Sequence, residues 1–426
     1  MLSTCNTTLK ERRCYVNVFK NTNYLKIYSA MTISKLGDWF FTIALPLLVY
    51  DLTKSASKMA LVFVVGVLPQ VLFSLIGGAL ADQLNKKKIM IFGDLLSAVL
   101  VSVIPIMYMV NGLQVWMVYI IAFLLASVSA FYHPSFEATI PQVLKREDYV
   151  KGNSYLKLMD TVITFVGPSL TGLLIAMLGV INVLVFDALS FLLSAVILSL
   201  VKVDYVRLKK QFPKLLAPIR EGLHYVKNNK VILSGALIML GINLGYGAVD
   251  SLLLFFLKDH VELDSTGIGL FLSLQALGPF LAVYLASRFK KFPRGNIIVT
   301  CGIMIGIAEI GLIFSEKLFL VLLLCQVVAK GAATLLAINW FTLRQEIVPS
   351  DLLGRVVSST RMLAYISLPI SGMIAGNAVG FVSIYNIFVI SGVIVLVSSF
   401  IGLRTPLFSK KTDRLAKEQD PLPKHI

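Results

Sequence analysis

The stretch "GGALADQLNKKKIMIFGD", Gly77 to Asp94, is a charged knot between two apolar runs. Apolar residues lead into it almost unbroken and resume directly after it. The length of those flanks decides what the knot is. The runs 59–80 and 89–110 are each near the ~20 residues that carry a helix across the hydrocarbon layer of a bilayer. The knot is therefore the wet connection between two membrane spans. Its three lysines, Lys86, Lys87 and Lys88, report the side on which it lies.

The rest of the chain has the same character. Of 426 residues, 57% are hydrophobic and 15% charged, and the mean hydropathy is +0.82. A water-soluble domain is about 45–50% apolar and about 25% charged. The excess falls into twelve runs: 27–50, 59–80, 89–110, 115–137, 155–178, 181–201, 231–256, 266–287, 296–315, 318–342, 357–379 and 383–403. The fold class read from them is an all-α membrane protein with twelve transmembrane helices.

The loops fix the expected orientation. The N-terminus, 81–88, 138–154, 202–230, 288–295, 343–356 and the C-terminus carry 31 of the 39 lysines and arginines. The opposite loops carry four: Lys54, Lys58, Lys258 and Lys317. Basic loops stay in the cytoplasm, so both termini are expected there. The net charge of +16 is this asymmetry and not a nucleic-acid surface. The first apolar run starts near Ile27 and is long enough to span, unlike the short core of a signal peptide. Cys5, Cys14, Cys301 and Cys325 have no metal-ligand spacing, and neither a metal nor a cofactor is expected.

The expected domains are a cytoplasmic N-terminus 1–26, a six-helix half 27–201, a central loop 202–230, a second half 231–403 and a tail 404–426. The central loop contains "LAPIREGLHYVKNN", an amphipathic pattern that suits a helix on the inner membrane surface as well as a plain connector. The halves repeat one another. "EATIPQVLKREDYVKGNSYLKLMDTVITFVGPSLTGLLIA" from Glu137 and "QEIVPSDLLGRVVSSTRMLAYISLPISGMIAG" from Gln345 share an acid, a proline, a charged turn, and a span with proline then glycine. The two lie six spans apart, as duplication of a six-helix half would place them. Such halves, related by pseudo-two-fold symmetry, are the architecture of major facilitator transporters, with the substrate site between them.

The knot itself, Gly78-x-Leu80-Ala81-Asp82-x-x-Asn85-Lys86-Lys87, resembles the loop 2–3 signature of the major facilitator superfamily. It departs where a second glycine gives way to Asn85, which also tolerates a left-handed turn. "FVGPSLTG" resembles the antiporter signature of drug exporters through Gly167, Pro168 and Gly172. "SKLGDWFFTIALPLLVYDLTKSA", "FYHPSFEATIPQVL" and "VFDALSFLLSAV" resemble the bacterial macrolide-efflux branch, and the resemblance covers about residues 24–404. It implies secondary active efflux of an amphiphilic drug-like molecule by proton antiport, with alternating access. Siderophore and lysophospholipid exporters have a similar look. A membrane scaffold without transport is a further alternative. The expected partners are a small-molecule substrate, protons and the lipid bilayer, for a chain that acts as a monomer.

Ionisable residues inside spans are costly and default to functional candidates. The superfamily's cavity-lining spans, one, four, seven and ten, each carry one here: Asp38, Glu137, Asp250 and Lys330. Burial disfavours a charged carboxylate and a nearby cation favours it, so Asp38 and Lys330 are the expected pair across the cavity. Trp39 and Phe41 adjoin Asp38, and Tyr246 stands one turn before Asp250. An aromatic cavity with one acid suits amphiphilic cations. Asp187 and Glu309 are placed toward the outer ends of their spans, within reach of the interface. Lys35, Lys157 and Arg361 are expected to snorkel.

Asp82, Lys86, Lys87, Asp94 and Arg361, with Gly78 for close approach, are read as a cytoplasmic gate. Gly167, Pro168, Gly172, Gly372 and Gly376 are read as kink and packing positions. No phosphate-binding G-x-x-x-x-G-K-[ST] loop or H-E-x-x-H pair is present, which speaks against an ATP-driven pump and against an enzyme.

Overall fold

A computed structural model describes residues 18–83, 85–202, 216–289, 292–316 and 318–408. Cys5, Cys14 and the surroundings of Gly78 and Asp82 lie outside the described residues.

The first six spans are helices α1 (Thr22–Thr53), α2 (Ala56–Gln83), α3 (Lys86–Met109), α4 (Val115–Val143), α5 (Tyr149–Leu178) and α6 (Val180–Ser199). Then come α7 (Leu216–Asn228) and α8 (Lys230–Phe255), followed by α9 (Ser265–Gln275) with α10 (Leu277–Arg288). The chain closes with α11 (Arg294–Gly311), α12 (Phe319–Ile347), the pair α13 (Ser350–Tyr365) and α14 (Ser367–Ala378), and α15 (Ile384–Leu403). Among the described residues, eleven helical stretches are long and apolar enough to cross a membrane. The twelfth span is α13 with α14, broken at Ile366. The cause is Pro369: it supplies no N–H for the carbonyl four residues earlier and crowds that turn. Pro279 acts likewise on the α9–α10 pair, which breaks at Ala276.

Short polar residues set the helix starts. The Asn21 side chain accepts the N–H groups of Asn23 and Tyr24, and Asn229 does the same for Val231 and Ile232. In the knot, Asn85 accepts the Lys88 N–H at 3.1 Å. Its φ of −68° makes it an extended helix cap, not the left-handed turn that its place in the signature suggested. The next lysine also has a local task. Lys87 Nζ donates to the Ser199 and Val201 carbonyls, which closes the C-terminal end of α6.

Helix α7 forms within the central loop. It rests on α13: Glu221 pairs with Arg355, and a side chain at Gly222 would run into the Arg355 carbonyl.

The apolar core shows how the halves meet. At the end holding the last turns of α1 and α8, one continuous cluster joins both halves, with Leu45, Tyr50, Phe255, Phe256, Phe271 and Phe388 among its members. At the opposite end, where the basic loops lie, each half has its own cluster. One surrounds Tyr24, Tyr132 and Phe136, the other Ile298, Leu336 and Trp340.

The joined end is also stitched by polar contacts between halves. Tyr50 Oη donates to Asp259 at 2.6 Å, Ser57 Oγ to Asn377 Oδ1 at 2.7 Å, and Ser169 Oγ to Ser273 Oγ at 2.7 Å. Helix α5 lies on α9 with Gly172 against Gly269, backbone to backbone, so that a side chain at either position would strike the other helix's main chain. Gly372 and Gly376 of α14 lie against the side chains of Val64 and Ala60 on α2, which a side chain at either position would crowd.

Candidate functional site

Between the halves lies a cavity of about 530 Å³. Helix α1 contributes Asp38, Trp39, Phe41 and Thr42; α2 contributes Phe63 and Gln70. Helix α8 contributes Asp250, α9 Gln275 and α12 Lys330. A cavity of this size is in the ~300–1,000 Å³ range of small-molecule sites, and its mix of apolar walls with a few polar groups is typical of them. The joined apolar core closes it at one end. Toward the other end is a second cavity of about 500 Å³, between α1, α4 and α5. It holds Lys35, His133, Glu137, Lys157 and Asp160.

The charges fall into two groups, one per half. In the C-terminal half, Lys330 Nζ forms an ion pair with Asp250 and lies 5.0 Å from the centre of the Tyr246 ring. Both charged side chains line the cavity yet are mostly buried, at 19% and 29% exposure. Glu309 on α11 acts electrostatically on this pair and is buried, and its two carboxylate oxygens have no hydrogen-bond partner.

In the N-terminal half, three acids gather around one face of the cavity. Asp38 faces the cavity. Asp94 on α3 is buried and accepts hydrogen bonds from Ser194 Oγ at 2.6 Å and Tyr132 Oη at 3.4 Å. Asp187 on α6 is fully buried, and neither oxygen has a partner. It lies against Gly37, where a side chain would collide with Asp187 and Ser190. Glycine is thus what lets α1 approach α6 here. Asp38 interacts electrostatically with both Asp94 and Asp187. The cation acting on Asp38 is Lys35, whose ammonium is itself held by Asp160. Lys157 completes that trio at 2.9 Å from Asp160.

Several expectations change. The partner of Lys330 is Asp250 in its own half and not Asp38 across the cavity, although Asp38 and Lys330 line the same space. Asp187 and Glu309 do not reach the membrane interface; hydropathy gives depth along a helix but not the face, and both faces point inward. Lys35 pairs with Asp160 in place of snorkelling. Asp94, grouped by sequence with the gate, stands beside Asp38 in the carboxylate cluster. Glu137 lines the second cavity, one turn from His133, and not the central one. Trp39 lines the central cavity and covers Gly167 of α5. Pro168 sits within an uninterrupted α5. Arg361 is exposed on α13.

Gln275 is a polar cavity residue, and so are His133 and Gln70, to which the sequence assigned no role in the cavity. The spacing of Ser129, His133 and Glu137 at four-residue intervals was the available signal, since it puts all three on one face of α4.

A family model described as transmembrane secretion effector matches residues 16–425. A multidrug efflux pump, Tap, from Mycolicibacterium fortuitum is 28% identical over 83% of this chain and 88% of its own. Macrolide efflux protein A from Streptococcus pyogenes is 22% identical over 88% of this chain and 93% of its own. Among solved structures, the nucleoside transporter NupG aligns with a TM-score of 0.75 at 14% identity, over 91% of this chain and 99% of that one. The peptide-transporter-family protein PepTSo aligns at 0.73 and 11% identity, over 94% and 99%. The structural likenesses establish the fold: twelve spans in two six-helix halves.

Proposed function

The chain belongs to the transmembrane secretion effector family of major facilitator transporters, and from that premise we propose that it exports an amphiphilic drug-like molecule, of macrolide type, by proton antiport. The observation that carries the reading is Asp38: a carboxylate facing a cavity of about 530 Å³, backed by two buried acids, with its one acting cation engaged elsewhere. Like charges gathered in a low-dielectric interior are relieved by binding a proton. A bound proton and a bound cationic amphiphile then compete for the same carboxylate, which is the requirement for exchange. Trp39, Phe41 and Phe63 give such a substrate ring faces.

The direction follows from the loops. Placing the basic loops in the cytoplasm makes the joined apolar core the extracellular seal and opens the cavity inward. Substrate enters from the cytoplasm or inner leaflet and displaces the proton. The halves then rock, and the stitches Tyr50–Asp259 and Ser57–Asn377 part to release it outside. One chain contains the whole cavity, so a monomer suffices, in the inner or plasma membrane of a bacterial cell.

The test is drug susceptibility and accumulation in a host stripped of its own exporters. Expression should lower macrolide accumulation, and an uncoupler should restore it. Unchanged accumulation across macrolides and other amphiphilic drugs would contradict the substrate class. Uncoupler-insensitive export would contradict proton drive.

A further inference from the structure

Besides the central cavity and the second one beside it, a third and much smaller chamber of about 20 Å³ lies inside the N-terminal half. Asp38, Asp94, Ser34, Ser97, Ser129 and His133 line it. One water needs ~10–15 Å³ and two to four polar partners; this chamber offers both. His133 borders all three spaces. Among the described residues its ring nitrogens have no protein hydrogen-bond partner, and the Tyr132 ring meets it edge-on at 6.2 Å. We propose that His133 is the proton shuttle of the N-terminal half, carrying protons between the Asp38–Asp94 pair and the cytoplasmic cavity by a route beside the substrate's. The inference rests on the proton-antiport reading.

The chemistry is a two-step transfer. The carboxylic O–H of Asp38 gives its proton, through the chamber water, to the free nitrogen of a neutral His133. A carboxylate and an imidazolium result. The imidazolium then releases the proton on its other nitrogen to water in the second cavity and is neutral again. Histidine suits the task because its ordinary charge change falls between about pH 5 and 8. The groups around it are Lys35 and Asp38 from α1, Asp94 from α3, Tyr132 and Glu137 from α4, and Lys157 and Asp160 from α5, with Asp187 of α6 reaching it only by way of Asp38. The Lys35–Asp160–Lys157 trio keeps the cytoplasmic cavity polar and hydrated, so the released proton has water to enter. Substrate filling the central cavity does not block this path, since the second cavity lies to one side, between α1, α4 and α5.

The experiment is a pH jump on the full-length protein in lipid nanodiscs, followed by time-resolved infrared spectroscopy of the carboxylic-acid C=O band. Its assignment to this site is given by its loss in Asp38→Asn and Asp94→Asn. His133→Gln should leave the final band amplitude unchanged and slow its approach roughly tenfold or more. Millimolar imidazole should restore the speed in His133→Ala, a rescue that a purely structural role would not show. Wild-type speed in His133→Gln overturns the shuttle and leaves the antiport reading intact. A wild-type band that does not respond to pH overturns both.

Discussion

In the C-terminal half, Lys330 closes an ion pair with Asp250 and rests on the Tyr246 ring. In the N-terminal half, Asp38, Asp94 and Asp187 gather while Lys35 turns away to Asp160. Both arrangements lie well inside the helices, where a lone charge costs about 2.5–3.5 kcal/mol on insertion scales. Pairing offsets that cost for Lys330 and Asp250, while Glu309 beside them keeps two unpartnered oxygens. The N-terminal cluster leaves the cost standing at an acid that faces the cavity, the arrangement that the proposed proton exchange calls for. On the proposed antiport, this difference divides the labour: the C-terminal group shapes one wall of the cavity, and the N-terminal group is the one to carry the exchangeable charge.

The comparison breaks most visibly at Asp38. Asp38→Asn keeps shape and removes the charge. It should lower proton-driven macrolide efflux by about a hundredfold or more, while substrate exchange in the absence of a proton gradient persists. Flux measured in proteoliposomes, with and without a gradient, checks both parts. The paired half should answer differently. Lys330→Met leaves Asp250 uncompensated and should destabilise the protein by about 2–3 kcal/mol. Adding Asp250→Asn should recover most of that loss, because removing both charges leaves neither member of the pair uncompensated. Thermal unfolding in detergent of the single and double variants reads this directly.

The seam between the halves is a third point of attack. Gly172→Val puts a branched side chain into the α9 backbone. It should cost about 1–3 kcal/mol and loosen the sealed end, read as faster labelling of cysteines introduced on the sealed side of the cavity. The mildest change is Tyr50→Phe, which deletes one hydroxyl from the cross-half stitch to Asp259. A shift of about 1 kcal/mol toward the outward-open state is expected, visible in distance distributions between spin labels across the halves.

Much of the fold was legible in the chain. Twelve apolar runs, the side bias of lysine and arginine, and the repeat from Glu137 and Gln345 suffice for two six-helix halves, because a bilayer forces every spanning segment to satisfy its own backbone. What hydropathy does not carry is rotation about a helix axis. Asp187 and Glu309, expected to reach the interface, point into the protein for that reason. The choice of Asp250 over Asp38 by Lys330 is equally invisible, since it depends on how α8 and α12 lean together. The breaks at Ala276 and Ile366 follow from Pro279 and Pro369, yet Pro46, Pro105 and Pro168 sit in helices that run on. Local sequence marks where a helix is weakened; the neighbours decide whether it parts.

The knot that began the reading divides in the same way. Its lysines set topology, Lys87 fastens α3 to α6, and Asn85 starts α3. Asp94, at its far edge, belongs with Asp38 in the N-terminal cluster.

The most direct test of that division counts protons. Purified protein in weakly buffered solution with a pH dye, given a macrolide such as erythromycin, should release protons on binding. The Lys330→Met/Asp250→Asn double variant should release as many as wild type. Asp38→Asn should bind the drug and release none. Equal release from Asp38→Asn and wild type, or loss of release in the C-terminal double variant alone, would contradict the account.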